Sequence, residues 1–141
     1  MITVSITNRQ KKLSLDRRRM RRVVQKILRD AEIVEARISI AVVDNPTIAK
    51  LHDEFLNDPE PTDVLSFVLE RSQDGLEGEV IVSAETALAS APCYGCTAED
   101  ELLLYVIHGT LHLVGYDDTT PRKRSVMRKR EREYIGEIVD C

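Results

Sequence analysis

The sequence predicts an α+β fold, a small mixed four-stranded β-sheet with about five helices packed on it. Two observations carry this. Stretches alternating at period two and stretches with period 3.6 succeed one another in the order β-α-β-α-β-β-α-α-α. The 141 residues, 43% hydrophobic and 31% charged, are enough for one core but not two. No internal repeat, low-complexity tract or linker interrupts them, so residues 1–141 are expected to form a single domain.

ITVSIT alternates apolar and polar residues and reads as the first strand. Ser14 is a cap for a helix from Leu15 to about Leu28, with Met20, Val23, Val24, Ile27 and Leu28 on its apolar stripe. Ala36 to Val43 is the second strand. Asp44-Asn45-Pro46 supplies a cap and then a proline at the first helical position, predicting a helix from about Pro46 to Phe55. PEPTDVLSFVLE leads into a third strand with Val64, Ser66 and Val68 on one face and Leu65, Phe67 and Leu69 on the other. SQDG turns the chain into a fourth strand, Gly78 to Ser83, paired with the third as a hairpin. Ala84 to Ala91 is helical by propensity. Thr97, with Asp100 three residues on, caps a long apolar helix to about Val114, which Gly115 ends. Thr120-Pro121 starts the last helix, to about Ile135.

The net charge of −4 conceals a segregation. Ten of the 20 basic residues lie between Arg9 and Arg29 and seven between Arg122 and Arg132, whereas Asp30 to Asp118 holds three basic and 19 acidic residues, a net of −16. Two basic patches therefore flank an acidic body, and a polyanion can dock at the patches, through Arg17, Arg18, Arg21 and Arg22 on the first helix and Arg128 and Arg132 on the last. The alternative is two solvated helix faces. No apolar run is long enough to span a membrane. The N-terminus carries no signal-peptide core and three cysteines do not make a disulfide framework, so a cytoplasmic, reducing location is expected. Cys93-Tyr94-Gly95-Cys96 forms a C-x-x-C, but no second pair or nearby histidine completes a metal site, and a turn between helices is the expected role.

HGTLHLVGYDD, from His108 to Asp118, carries the chemistry. Histidines at i and i+4 of a helix leave the same face one turn apart and can converge on one ion at about 2.0–2.1 Å. A third ligand requires the chain to turn back, and Gly115 can adopt the positive φ that brings Asp118 round. Three protein ligands leave a position open for water, the mark of a catalytic metal. The bland alternatives are core histidines and an Asp118 that merely caps the next helix, with Asp117 its neighbour and rival. The spacing matches the metzincin proteases except that Gly109 stands where they carry the glutamate that deprotonates water, which disfavours peptide hydrolysis. The facial triads of non-haem iron oxygenases use similar donors but usually sit on barrel strands.

With its neighbours, this segment resembles the signature of the YbeY family of bacterial metal-dependent endoribonucleases, H-G-x-L-H-L-x-G-Y-D-H. Only the last position departs, with Asp118 for histidine. Pro61 to Phe67 resembles the family's P-T-D-V-L-S-F, and GEVIVS its G-D-I-V-I-S strand. The resemblance implies an α+β fold, one Zn²⁺ on His108, His112 and Asp118, and single-strand-directed RNA cleavage. It also implies roles in small-subunit ribosomal RNA 3′-end maturation and ribosome quality control. The family's arginine after the helical aromatic is replaced here by Leu56. A carboxylate at position 118 lowers the charge of the metal centre, weakens its Lewis acidity and lets manganese or magnesium compete better. Asp117, Asp63 and Ser66 are candidates for catalytic or supporting roles, with Thr62 beside them. The competing reading is a ribosome-assembly protein with a structural zinc and little hydrolytic activity.

Overall fold

The computed structural model of the chain describes residues 1–73, 75–94 and 96–138. Among these residues nine elements follow in the expected order: β1 (Ile2–Asn8), α1 (Arg17–Asp30), β2 (Glu35–Val43), α2 (Asn45–Leu56), β3 (Val64–Arg71), β4 (Gly75–Ser83), α3 (Ala84–Tyr94), α4 (Ala98–Leu113) and α5 (Pro121–Ile138). The sheet order is β1-β2-β4-β3, with β1, β2 and β4 parallel and β3 antiparallel to β4. The predicted α+β class and mixed sheet hold.

Period-two alternation assigns the faces. Val4, Ile6, Ile38, Ile40, Val80 and Val82 point to one side, where they pack with the apolar stripes of α1, α4 and α5. On the other side Val43, Leu65 and Ile81 meet Ile48 of α2, with Phe67 packed against them. The two faces expected for β3 are those observed from Val64 to Phe67, and Val68 and Leu69, next to the bulge, join neither cluster.

Local chemistry sets the boundaries. Asp44 caps α2, its carboxylate accepting from Thr47 N at 2.9 Å, and Thr97 Oγ1 caps α4 by accepting from Asp100 N at 3.1 Å. Two expectations shift. Asp16, not Ser14, caps α1 by accepting from Arg19 N at 3.1 Å, because a carboxylate also complements the positive end of the helix dipole. β4 begins at Gly75, since the hairpin ladder continues to Arg71 opposite Leu76 beyond a bulge between Val68 and Glu70. Asp74 of the turn, Gly95 of the C-x-x-C segment and Cys141 lie outside the described residues. Cys96 is disulfide-bonded, contrary to the expectation of reduced thiols. No helix among the described residues is long and apolar enough to cross a membrane.

α4 is the central helix, with ten of its sixteen residues buried, between the sheet on one side and α1, α3 and α5 on others. Where it crosses the β3–β4 hairpin it carries Gly109. A Cβ there would lie 2.6 Å from Val80 Cγ1, 2.9 Å from Ser66 Oγ and 3.0 Å from Val64 Cγ2. Ser66 Oγ also donates to Gly109 O at 3.0 Å, fastening the strand to the helix. Gly109→Ala should therefore force helix and hairpin apart and cost about 1–3 kcal/mol in urea unfolding; unchanged stability would show that the helix–hairpin packing is loose.

Candidate metal centre and its cleft

His108 and His112 leave α4 one turn apart, beside Gly109's contact with the hairpin, half-buried, with 27% and 29% of their side chains exposed. Their Nε2 atoms are 3.1 Å apart. α4 ends in a Schellman turn: Gly115 N donates to His112 O at 3.1 Å and Tyr116 N to Leu111 O at 3.0 Å, with Gly115 at φ +109°. That reversal brings Asp118 back. Its Oδ2 lies 3.9 Å from His108 Nε2 and its Oδ1 4.0 Å from His112 Nε2. All three ligand atoms fall within 4.8 Å of one another. Tetrahedral ligands at zinc distances sit roughly 3.3 Å apart, so small side-chain rotations suffice and two imidazoles with a carboxylate fit such an ion.

The rings are also fixed from behind. His108 Nδ1 donates to Glu131 Oε1 of α5, and the Glu131 side chain is only 13% exposed. That bond places the proton on Nδ1 and leaves the Nε2 lone pair facing the ligand cluster. The Tyr116 backbone lies beside the His112 ring and favours its charged form. Burial pulls His108 down, but the hydrogen bond to Glu131 and its charge, with smaller contributions from Asp63 and Asp118, leave its pKa above the ordinary histidine value. Burial and the neighbouring His108 hold His112 below it.

The other residues singled out in the sequence separate by their partners. Asp117 does not face the ligand cluster: it accepts from Thr119 N at 3.1 Å, Thr119 Oγ1 at 2.8 Å and Lys123 Nζ at 3.4 Å, bonds that lower its pKa. Ser66 is spent on Gly109 O. Asp63, at the entry to β3, is exposed and lines the clefts on both sides of His108. Thr62 donates to it at 3.4 Å.

Those two clefts meet at His108, Asp118 and Asp63 and differ in chemistry. One, of about 650 Å³, runs between α4 and α5 and is lined by Arg124, Arg128 and Arg132, which share one face of α5 at four-residue spacing. Glu101 lies on its α4 wall, 7% exposed, with burial raising its pKa against a hydrogen bond from Tyr105. The other, of about 570 Å³, runs along β3 and has Leu56 at its rim. The first basic patch sits elsewhere. Arg17 Nη1 donates to Ile6 O at 2.9 Å and Arg21 Nε to Val4 O at 3.2 Å, on β1, the sheet edge opposite β3. Arg18 and Arg22 are exposed on the same helix.

Sequence reasoning missed Glu131. Its signal was present: an acid within a run of arginines, four residues after buried Met127 and three before buried Tyr134, is on the inward face of α5.

The family model described as Endoribonuclease YbeY matches residues 5–139. Proteins named Endoribonuclease YbeY include one from Syntrophotalea carbinolica, 35% identical over 135 residues, 92% of this chain and 90% of that protein. Another, from Syntrophus aciditrophicus, is 34% identical over 94% of this chain and 87% of its own length. One from Rhodopirellula baltica is 45% identical over 96 residues, a match covering 67% of this chain and 50% of that protein, so there the chain spans half the relative's length. The solution structure of TM1509 from Thermotoga maritima superposes with a TM-score of 0.66 at 27% identity, covering 98% of this chain and 89% of that one.

Two outcomes follow for metal binding, read by competition with a chromophoric chelator. Glu131→Gln should weaken zinc binding about 10- to 100-fold, because His108 loses a charged partner. Metal must displace the Nε2 proton that His108 takes up as imidazolium, and its raised pKa makes wild-type affinity fall as pH drops through a range above that of an ordinary imidazole. In Glu131→Gln that pKa falls, so the decline should move to lower pH. An unaltered affinity and pH profile would contradict the assignment.

Proposed function

The chain belongs to the endoribonuclease YbeY family, and on that premise we propose that it is a metal-dependent hydrolase of single-stranded RNA. The relatives' name supports RNA cleavage. The observation that carries the metal requirement is the convergence of His108, His112 and Asp118 beside a cleft lined by arginines. Zinc is the ion that two imidazoles and one carboxylate suit best, with manganese or magnesium as competitors. The role we propose is small-subunit ribosomal RNA 3′-end maturation and ribosome quality control in the cytoplasm, on the strength of family membership.

His108, His112 and Asp118 would hold a divalent ion, which would supply Lewis acidity toward a phosphate oxygen. The chain's own residues do the rest. Glu131 keeps the His108 proton on Nδ1. Arg124, Arg128 and Arg132 bind backbone phosphates on one side of the scissile bond. Asp63 is the general base in this reading, taking the proton from the attacking water or ribose 2′-hydroxyl. Asp117 and Ser66 are committed to Thr119, Lys123 and Gly109, whereas the Asp63 carboxylate opens on both clefts.

Purified protein should cleave a single-stranded RNA only when metal-loaded, and chelator or His112→Ala should abolish the activity. Cleavage that persists in both would belong to a contaminant. RNA binding without cleavage at any metal loading would favour an assembly protein with a structural ion. Asp63→Asn should lower kcat about 10²- to 10⁴-fold with RNA affinity retained. Replacing Arg128 or Arg132 with serine removes one cation from the phosphate backbone, so the slope of log K against log salt for RNA affinity should become shallower by about 0.7 in each variant.

A further inference from the structure

Eight large apolar side chains among the described residues are more than a third exposed, and four of them belong to two elements beside the site: Phe55 at 61%, Leu56 at 58%, Val68 at 51% and Leu69 at 58%. They occupy the end of α2 and the outer half of β3, the free edge of the sheet. Phe55 leans on Phe67 with ring centroids 5.1 Å apart and planes tilted by 53°. Leu56, Phe67 and Val68 form the apolar wall of the cleft that starts at His108, His112 and Asp118.

The charge on that wall decides what it can take. Its charged lining groups outside the two histidines are Asp63 and Asp118, and among the described residues no lysine or arginine lines it. A phosphate backbone laid along it would meet these carboxylates, and Arg71, which is not part of the lining, has its Nη1 turned to the backbone oxygen of Leu113 at 3.2 Å. On the opposite side of the same triad the lining carries Arg124, Arg128 and Arg132. A polynucleotide crossing the triad therefore passes from a wall that holds phosphates to one that accepts only uncharged surface.

We infer that the Leu56–Phe67–Val68 wall is a subsite for unpaired nucleobases next to the scissile phosphate. This deepens the reading of the chain as an RNA-cleaving enzyme and rests on it for the placement of the scissile phosphate. Bases in a duplex have their faces stacked and cannot lie on the wall, so the subsite selects single strands without reading sequence. Leu56 is a specificity-determining residue here: a cation in its place would draw the backbone in.

The test is fluorescence anisotropy with the full-length chain, in chelator so that the probe stays intact. The probes are a labelled decauridylate, a ribose-phosphate decamer of equal charge lacking bases on one side of its midpoint, and an RNA duplex. Wild type should bind the decauridylate about tenfold more tightly than the half-abasic strand or the duplex. Leu56→Ser combined with Val68→Ser, both at exposed positions, should bring the decauridylate down to the half-abasic level and leave half-abasic affinity unchanged. Arg128→Ser should weaken both single strands alike. Equal wild-type affinity for the two single strands would overturn the inference, as would a double variant that keeps full discrimination, which would mark the wall as a protein-docking face. Base discrimination in a chain that, metal-loaded, cuts no RNA would keep the subsite and remove the nuclease reading.

Discussion

The close approach of α4 to the β3–β4 hairpin at Gly109 governs the geometry of the site. A side chain at 109 would collide with Val80, Ser66 and Val64, so helix and sheet meet with only hydrogens between them. That contact fixes the height and rotation of α4 over the hairpin and hence the direction in which His108 and His112 project. It also brings the start of β3, with Asp63, beside the same histidines. Gly109 occupies the place where a metzincin carries its catalytic glutamate, and packing leaves no room for one. The need for a tight helix–sheet contact and the absence of a base on the helix are one fact, and a proton acceptor has to come from the neighbouring strand.

Around that contact the ligand set is held by three separate devices. The i, i+4 spacing supplies the two imidazoles. The Schellman turn at Gly115 returns Asp118. Glu131 reaches across from α5 to the far nitrogen of His108. The last device joins the metal centre to the helix that also presents Arg124, Arg128 and Arg132, so the surface that would hold substrate and the residue that aims a ligand belong to one rigid element. With Asp118 as the third ligand the bound ion keeps less positive charge than an all-histidine set would leave it, and water on it is correspondingly less acidic. The field of the α5 arginines partly offsets this at the phosphate.

Much of this was legible in the residues alone. Strand alternation, the Asp44 and Thr97 caps and the two proline starts predict every element in order, because each signal is local. The ligands were legible for the same reason: His108, His112, Gly115 and Asp118 act within one helix and its exit. What the sequence left open is long-range. That Gly109 meets Val80, that Ser66 is occupied by a backbone carbonyl and that Glu131 pairs with His108 all depend on how distant elements pack. The charge pattern was legible as two patches, but only the packing separates them: Arg17 and Arg21 bind carbonyls of the β1 edge, whereas the α5 arginines face the cleft.

The most direct measurement is titration of cobalt(II) into the purified chain, followed by its visible d–d absorption. The account predicts one ion per chain with the intense bands of four-coordinate nitrogen and oxygen ligation, lost in His108→Ala and His112→Ala and shifted in Asp118→Ala. Absorption that fails to appear, or that is identical in all three variants, would contradict it.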